Sequence, residues 1–338
     1  MSFKKFIKIT NNQYISNNHQ TFIIAEVGIN HEGKYKNCIK LISNANKAGA
    51  NAVKIQLARA ENNYKENSKS FKIYKKSELN KKEIVRLYAY AKKKKIILFA
   101  TCDEYYFQFI KKLNPRLYKI SSSQAQDLNM INKINLTQRP MLISTGMNTS
   151  TDIVELIKFL NKLKNKKIVL MHCVSKYPLK IKDINLEMID FYKKKFDGII
   201  GYSDHTSGIN ACVYAVLKGA KVIEKHFTLD SKKSGYDHKI SLDFNNFKQM
   251  VTEIREAESS SGTIQNHDIY KSKKEITALK RTHFINKDLK KGQKLKIDDI
   301  YTKRIGKDCS IINLLKLIGK KTIKDLNTHS KINKKDFI

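Results

Sequence analysis

The chain has 338 residues, 41% of them hydrophobic, and a formal net charge of +35. That length carries one large domain and a small one, with enough apolar residues for a barrel-sized core. The lack of a long apolar h-region at the N-terminus, or of any run of membrane-spanning length, points to a soluble cytoplasmic protein without a membrane partner.

Cys38, Cys102, Cys173, Cys212 and Cys309 are scattered, odd in number and without a CxxC pair. They argue against a disulfide scaffold or a structural zinc knot and fit a reducing compartment. So strong a positive charge suits nucleic acid in principle. Here lysine is abundant in nearly every segment, alongside Asn and Ile, and no basic stripe or RNA-binding signature stands out. The charge reads as compositional bias, although an anionic substrate would profit from the field.

Residues 1–20 read as a lead-in strand or hairpin. A rhythm follows: short apolar, β-branched runs at 22–25, 52–55, 96–100, 117–120, 140–143, 168–171, 198–201 and 221–223. Helical periodicity fills gaps between them, at 36–48, 82–94, 151–163 and 209–218, with a weaker pattern at 184–195. Eight alternating units predict an α/β fold of the (β/α)8 TIM-barrel type. A doubly wound sheet would usually carry a Gly-rich phosphate loop after its first strand, and neither GxGxxG nor GxxxxGK[ST] occurs. The pattern fades near residue 257. The expected organisation is a barrel over 1–256, a linker over 257–277 and a small β-rich domain over 278–338, with turns at Gly292 and Gly306 and one helix near 311–318.

Polar residues cluster where the apolar runs end. Glu26, Asn30 and His31 follow the first; Gln56 closes the second; Thr101 and Asp103 follow the third; Ser121 to Gln124 follow the fourth. Ser144 and Thr145 end the fifth, His172, Ser175 and Tyr177 the sixth, and Ser203, Asp204 and His205 the seventh. His226 follows the eighth, inside GAKVIEKHFTLD. One helix and one strand fit between His205 and His226, which places them at the same end of neighbouring parallel strands, where barrel enzymes build active sites. They read as a metal pair or, more plainly, as two separate core or surface histidines. Lys54 and Lys119 interrupt apolar strands, where a charge is costly without a partner. Together with the hydroxyls they suit a phosphate and carboxylate cradle; the competing account is structural ion pairing to Glu26 or Glu224.

From IIAEVGINHEG to the final KINKKDFI, an ordered set of segments resembles the bacterial sialic acid synthases, the phosphoenolpyruvate-dependent nonulosonate synthases. The set comprises AGANAVKIQ, LYKISSSQ, STGM, MHCVSKYP, GYSDHTSG, GAKVIEKHFTLD and KRIG. The resemblance implies a TIM barrel joined to a C-terminal antifreeze-like (SAF) domain, and a transferase that adds phosphoenolpyruvate to the aldehyde of an N-acylated mannosamine-type sugar with release of phosphate. It implies that His205 and His226 hold Mn²⁺ or Mg²⁺. Lys54, Thr101, Lys119, Ser122, Ser144, Ser175 and Ser203 fall on the phosphoenolpyruvate positions. Gln56, Tyr177, Asp237 and Arg304 fall on positions facing the sugar. Glu26 is the carboxylate for acid–base or orienting work, and Arg304 reaches the partner's site in a domain-swapped homodimer. Gln124 stands where the family usually has a carboxylate, and an amide cannot act as a base. The alternatives are a related barrel synthase or a Schiff-base aldolase on another sugar, or a degenerate, non-catalytic barrel.

Overall fold

A computed structural model describes residues 2–262, 274, 278–306 and 310–338. The chain divides into two compact units, Met1–Ser261 and Gly262–Ile338. The first opens with an antiparallel hairpin, β1 (Phe6–Lys8) and β2 (Tyr14–Ser16). Eight parallel strands follow: β3 (Phe22–Gly28), β4 (Ala52–Leu57), β5 (Ile97–Cys102), β6 (Tyr118–Ile120), β7 (Met141–Ser144), β8 (Ile168–Cys173), β9 (Ile199–Asp204) and β10 (Val222–His226). They close in sequence order, with β10 pairing back onto β3, into a TIM barrel.

The helices are α1 (Tyr35–Lys47), α2 (Ala60–Asn63), α3 (Lys69–Ser77), α4 (Lys81–Lys93), α5 (Glu104–Lys112), α6 (Leu128–Leu136), α7 (Ser150–Lys162), α8 (Glu187–Lys195), α9 (Asn210–Leu217) and α10 (Phe244–Ser260). Local chemistry marks several starts. Asn80 and Glu83 form a capping box on α4, Thr149 and Asp152 another on α7, and Asp103 caps α5. The weak pattern at 184–195 becomes α8, preceded by a 3-10 turn at Ile181–Asp183.

Period-two alternation sorts the barrel interior into layers. Its lower part holds Phe22, Ile24, Ala52, Ile97, Phe99, Leu117, Leu142, Val169, Met171, Ile199 and Val222, packed with Ile7, Ile9 and Ile15 of the hairpin region. The hairpin thus plugs the amino-terminal end with apolar side chains. The next inward positions up the strands are polar: Glu26, Lys54, Thr101, Lys119, Ser144, Ser203 and Glu224. Outward-facing residues join the helices in a second, larger apolar core.

Two sequence expectations shift. The strands run past their apolar stretches, so Glu26, Gln56, Thr101, Ser144, His172, Ser203, Asp204 and His226 lie inside them, whereas Asp103, Ser122, Gln124, Ser175, Tyr177 and His205 do follow their strands. A closed parallel barrel satisfies the backbone of a polar residue as readily as that of an apolar one, so hydrophobicity underestimates strand length. At the other end, α10 continues through Ser260, four residues into the expected linker. Most of that linker, like Cys309, lies outside the described residues.

In the second unit, β11 (Arg281–Ile285) pairs antiparallel with β12 (Ile300–Arg304). Ile285, Leu289, Leu295, Leu317, Leu326 and Phe337 form its core, and α11 (Ile311–Leu315) is its helix. It is small and β-rich, as expected.

The segment between β4 and α4 folds into α2 and α3 and is held by a close backbone approach. Gly33 has φ +70°, and a Cβ there would stand 2.2 Å from the Lys76 carbonyl oxygen of α3. Gly33→Ala is therefore expected to destabilise the protein by about 1–3 kcal/mol through left-handed strain and displacement of α3. Urea unfolding checks this; an unchanged midpoint would show that α3 can move freely.

Candidate active site

The polar end of the barrel opens into a cavity of about 200 Å³. Its walls include Glu26, Lys54, Gln56, Thr101, Lys119, Ser122, Gln124, Ser144, Ser175, Tyr177, Ser203, His205 and His226. The structure thus gathers thirteen of the fifteen sequence-derived candidates around one space. Asp237 stands at its border, with Oδ2 3.7 Å from His226 Nδ1. Arg304 ends β12 in the second unit and is exposed.

At the base of the cavity lies a buried charge cluster centred on Glu224. Its Oε1 is 3.0 Å from Lys54 Nζ and 3.6 Å from Lys119 Nζ, and accepts a hydrogen bond from Ser203 Oγ at 3.0 Å. Lys54 also lies 3.4 Å from Glu26 Oε2, and Lys119 donates to Ser144 Oγ at 2.7 Å. The lysines are therefore paired structurally, as one of the two readings had it, and they also line the cavity. Burial by itself would raise Glu224, but Lys119 and Lys54 outweigh it and hold the carboxylate ionised. Burial pushes Glu26 the other way, up to about 7, against the pull of Lys54 and with help from Glu224. Burial also lowers Lys119, while the two carboxylates hold Lys54 charged despite it.

Four side-chain atoms on the cavity wall are buried without a hydrogen-bond partner: Glu26 Oε2, Thr101 Oγ1, Glu224 Oε2 and His226 Nδ1. Buried polar atoms are normally satisfied, so four at one place mark surface built to meet a ligand. Other groups are already committed. Gln124 Oε1 accepts from Ser121 N and Oγ, and its Nε2 donates to the Cys102 carbonyl at 2.9 Å. Gln124 ties the ends of β5 and β6 together. Ser122 Oγ meets Cys173 Sγ at 2.8 Å and accepts from Gly146 N.

The imidazoles of His205 and His226 have centroids 5.5 Å apart. His205 Nδ1 is 2.6 Å from the Val174 carbonyl, which fixes the proton there and leaves Nε2 as the acceptor, 3.1 Å from Tyr177 Oη. Burial lowers both histidines; the neighbouring ring lowers His226 further. Two neutral imidazoles, one with a partnerless nitrogen, beside a carboxylate suit a divalent cation that keeps open positions. Among the described residues, no group of three or more His, Cys, Asp or Glu side chains forms a closed cation site.

Several cavity residues escaped the sequence reading. Glu224 was visible only as an ion-pair partner, although it sits two residues before His226 and so shares its face. Cys173 continues the inward face of β8, and Cys102 ends β5 beside the inward Thr101. Asn63, Tyr64 and Tyr74 come from the α2–α3 segment, and no sequence pattern marks them.

A (β/α)8 barrel with a buried Lys/Glu cluster, hydroxyls and a histidine pair at the carboxyl ends of its strands defines a barrel enzyme site for a small anionic substrate. Comparison then places the chain: it belongs to the NeuB family, which it matches over residues 41–266. It is 33% identical over 333 residues to pseudaminic acid synthase of Campylobacter jejuni, covering 94% of this chain and 97% of that one. To N,N'-diacetyllegionaminic acid synthase of Campylobacter jejuni it is 33% identical over 318 residues, covering 89% and 95%. The crystal structure of N-acetylneuraminic acid synthetase from Leptospira borgpetersenii, in complex with citrate, superposes with a TM-score of 0.74 at 31% identity, covering 80% of this chain and 97% of that one.

The raised Glu26 has a stability consequence. The folded state holds this proton more tightly than the unfolded chain, whose carboxyl titrates near 4.5. Stability is thus complete below about pH 4.5 and falls as pH rises toward 7. Glu26→Gln lacks that loss. Its thermal stability is expected to gain on wild type between pH 5 and 8, by up to about 3 kcal/mol, with the gain vanishing near pH 4. A difference that stays flat with pH would refute the raised value.

Proposed function

We propose that this protein is a nonulosonic acid synthase that condenses phosphoenolpyruvate with the open-chain aldehyde of an N-acylated mannosamine-type sugar, releasing phosphate. Family membership sets the reaction class. The observation that carries the site assignment is the group of buried polar atoms without a hydrogen bond beside Lys54 and Lys119, on a wall also lined by hydroxyls and histidines. The two relatives make different acids by name, so three acceptors stand as candidates: N-acetylmannosamine and the two diacetamido-trideoxyhexoses.

The reaction joins C3 of phosphoenolpyruvate to the aldehyde carbon. The aldehyde oxygen takes a proton, water adds at C2, and the C2–O bond to phosphate breaks. Lys54, Lys119, Thr101, Ser122, Ser144, Ser175 and Ser203 would grip phosphate and carboxylate, their fixed donors stabilising charge as the tetrahedral intermediate forms and collapses. An anion beside the lysines adds negative potential and holds Glu26 protonated, so Glu26 is placed to give its proton to the aldehyde oxygen. Gln56, Tyr177 and Asp237 would face the sugar. His205 and His226 would hold a divalent ion, Mn²⁺ or Mg²⁺; when bound, it supplies Lewis-acid polarisation of the sugar carbonyl.

The second unit is read as an antifreeze-like domain that lies over a partner's barrel in a swapped homodimer and contributes Arg304 there. Among the described residues no helix is long and apolar enough to cross a membrane. The four described cysteines are free, which supports a reducing, cytoplasmic setting.

The decisive test incubates the purified protein with phosphoenolpyruvate, Mn²⁺ and each of the three sugars. Phosphate release, a product with the mass of the sugar plus pyruvate and loss of both on chelation are expected with one of them. No release with any sugar would sink the proposal. Gln124→Glu, run in parallel, is expected to leave kcat within about threefold and to cost about 1–2 kcal/mol of stability, because it breaks the bond to the Cys102 carbonyl. A large rise in kcat would instead assign the missing carboxylate a catalytic part.

A further inference from the structure

The α2–α3 segment brings two aromatic rings to the cavity wall. Tyr64 and Tyr74 have centroids 4.6 Å apart. Tyr74 Oη donates to Gln56 Oε1 at 2.7 Å, and Gln56 Nε2 donates to Glu26 Oε1 at 2.8 Å. A side-chain amide left to itself can present either oxygen or nitrogen. A tyrosine hydroxyl held against one end removes that freedom, and burial keeps the phenol protonated and able to donate. The NH₂ is then turned to Glu26.

The same groups surround a small space that only glycine leaves open. A Cβ on Gly28 would stand 3.2 Å from Glu26 Oε1, 3.4 Å from Gln56 Nε2 and 3.5 Å from Asp237 Oδ2. Three polar atoms converging on one point suit the hydroxyl or amide groups of a sugar, provided that each shows its correct face. Tyr74 itself is firmly seated. Ser77 Oγ donates to its carbonyl, the Lys75–Glu61 ion pair ties α3 to α2, and Glu78 Oε1 accepts from Ala60 N at 3.0 Å.

We propose that Tyr74 is a positioning residue for the acceptor sugar, acting through the Gln56 amide rather than by touching the reacting atoms. This rests on the synthase reading above. Tyr74→Phe keeps the ring against Tyr64 and removes one hydroxyl. KM for the acceptor, whichever of the three sugars gives turnover, is expected to rise about tenfold. KM for phosphoenolpyruvate is expected to stay within about twofold. The effect should vanish in a Gln56→Ala background, since the amide through which Tyr74 acts is then gone. An unchanged acceptor KM, an equal rise in both KM values, or the same loss in both backgrounds would overturn the proposal.

A second measurement needs no turnover. The Gln56 side-chain amide resonance, identified by its absence in Gln56→Ala, should exchange slowly with solvent in wild type and at least about tenfold faster in Tyr74→Phe. Equal exchange in the two would overturn the inference. A wild type inactive with all three sugars would overturn the synthase reading alone, because the exchange result stands without it.

Discussion

One oxygen atom, Glu224 Oε1, holds the chemistry of this barrel together. It is shared by Lys54, Lys119 and Ser203, so side chains of four strands, β4, β6, β9 and β10, meet at a single acceptor. Without that carboxylate, two ammonium groups would sit buried side by side, an arrangement that burial makes expensive. With it, they are charged, aimed and still able to attract an anion. Glu26, next in line, is left short of counter-charge and keeps its proton more readily. One carboxylate is thereby held as an ion and another keeps its proton more readily, the divergence that unequal environments impose on paired acids.

The same strands do different work on their two sides. On β10, Glu224 and His226 face inward, while Lys225 between them points out and is fully buried. Lys225 Nζ meets Asp204 Oδ2 at 2.5 Å and also donates to the Thr206 carbonyl. Asp204 in turn accepts from Tyr202 Oη and from Thr206 N and Oγ1. This outer network clamps the turn that carries His205. The polar run Ser203-Asp204-His205 thus splits into a cavity hydroxyl, a scaffold carboxylate and a cavity imidazole, one place per residue as the pleat turns.

Much of this was legible before any coordinates. The eight apolar runs fixed the strand count because each core strand must bury both faces. The spacing of His205 and His226 fixed their common rim because one helix and one strand lie between them. Lys54 and Lys119 announced themselves as charges in apolar strands. What stayed hidden was tertiary in origin. The pairing of both lysines with Glu224 depends on barrel closure, which brings β4 and β6 within reach of β10. Tyr64 and Tyr74 depend on how an insertion of weak periodicity folds back, governed by the fit of Gly33 against Lys76. Gln124 carried a chemical signal, the lost carboxylate, but only the geometry revealed that its amide laces β5 to β6.

With its amino-terminal end plugged by the hairpin region, the barrel opens, among the described residues, at its polar end. Whatever rests beside Lys54 and Lys119 lies beneath whatever rests against Tyr74 and the half-exposed Tyr177. In such a blind shaft the groups at the bottom, Lys54 and Lys119, meet solvent only past the residues that line the mouth.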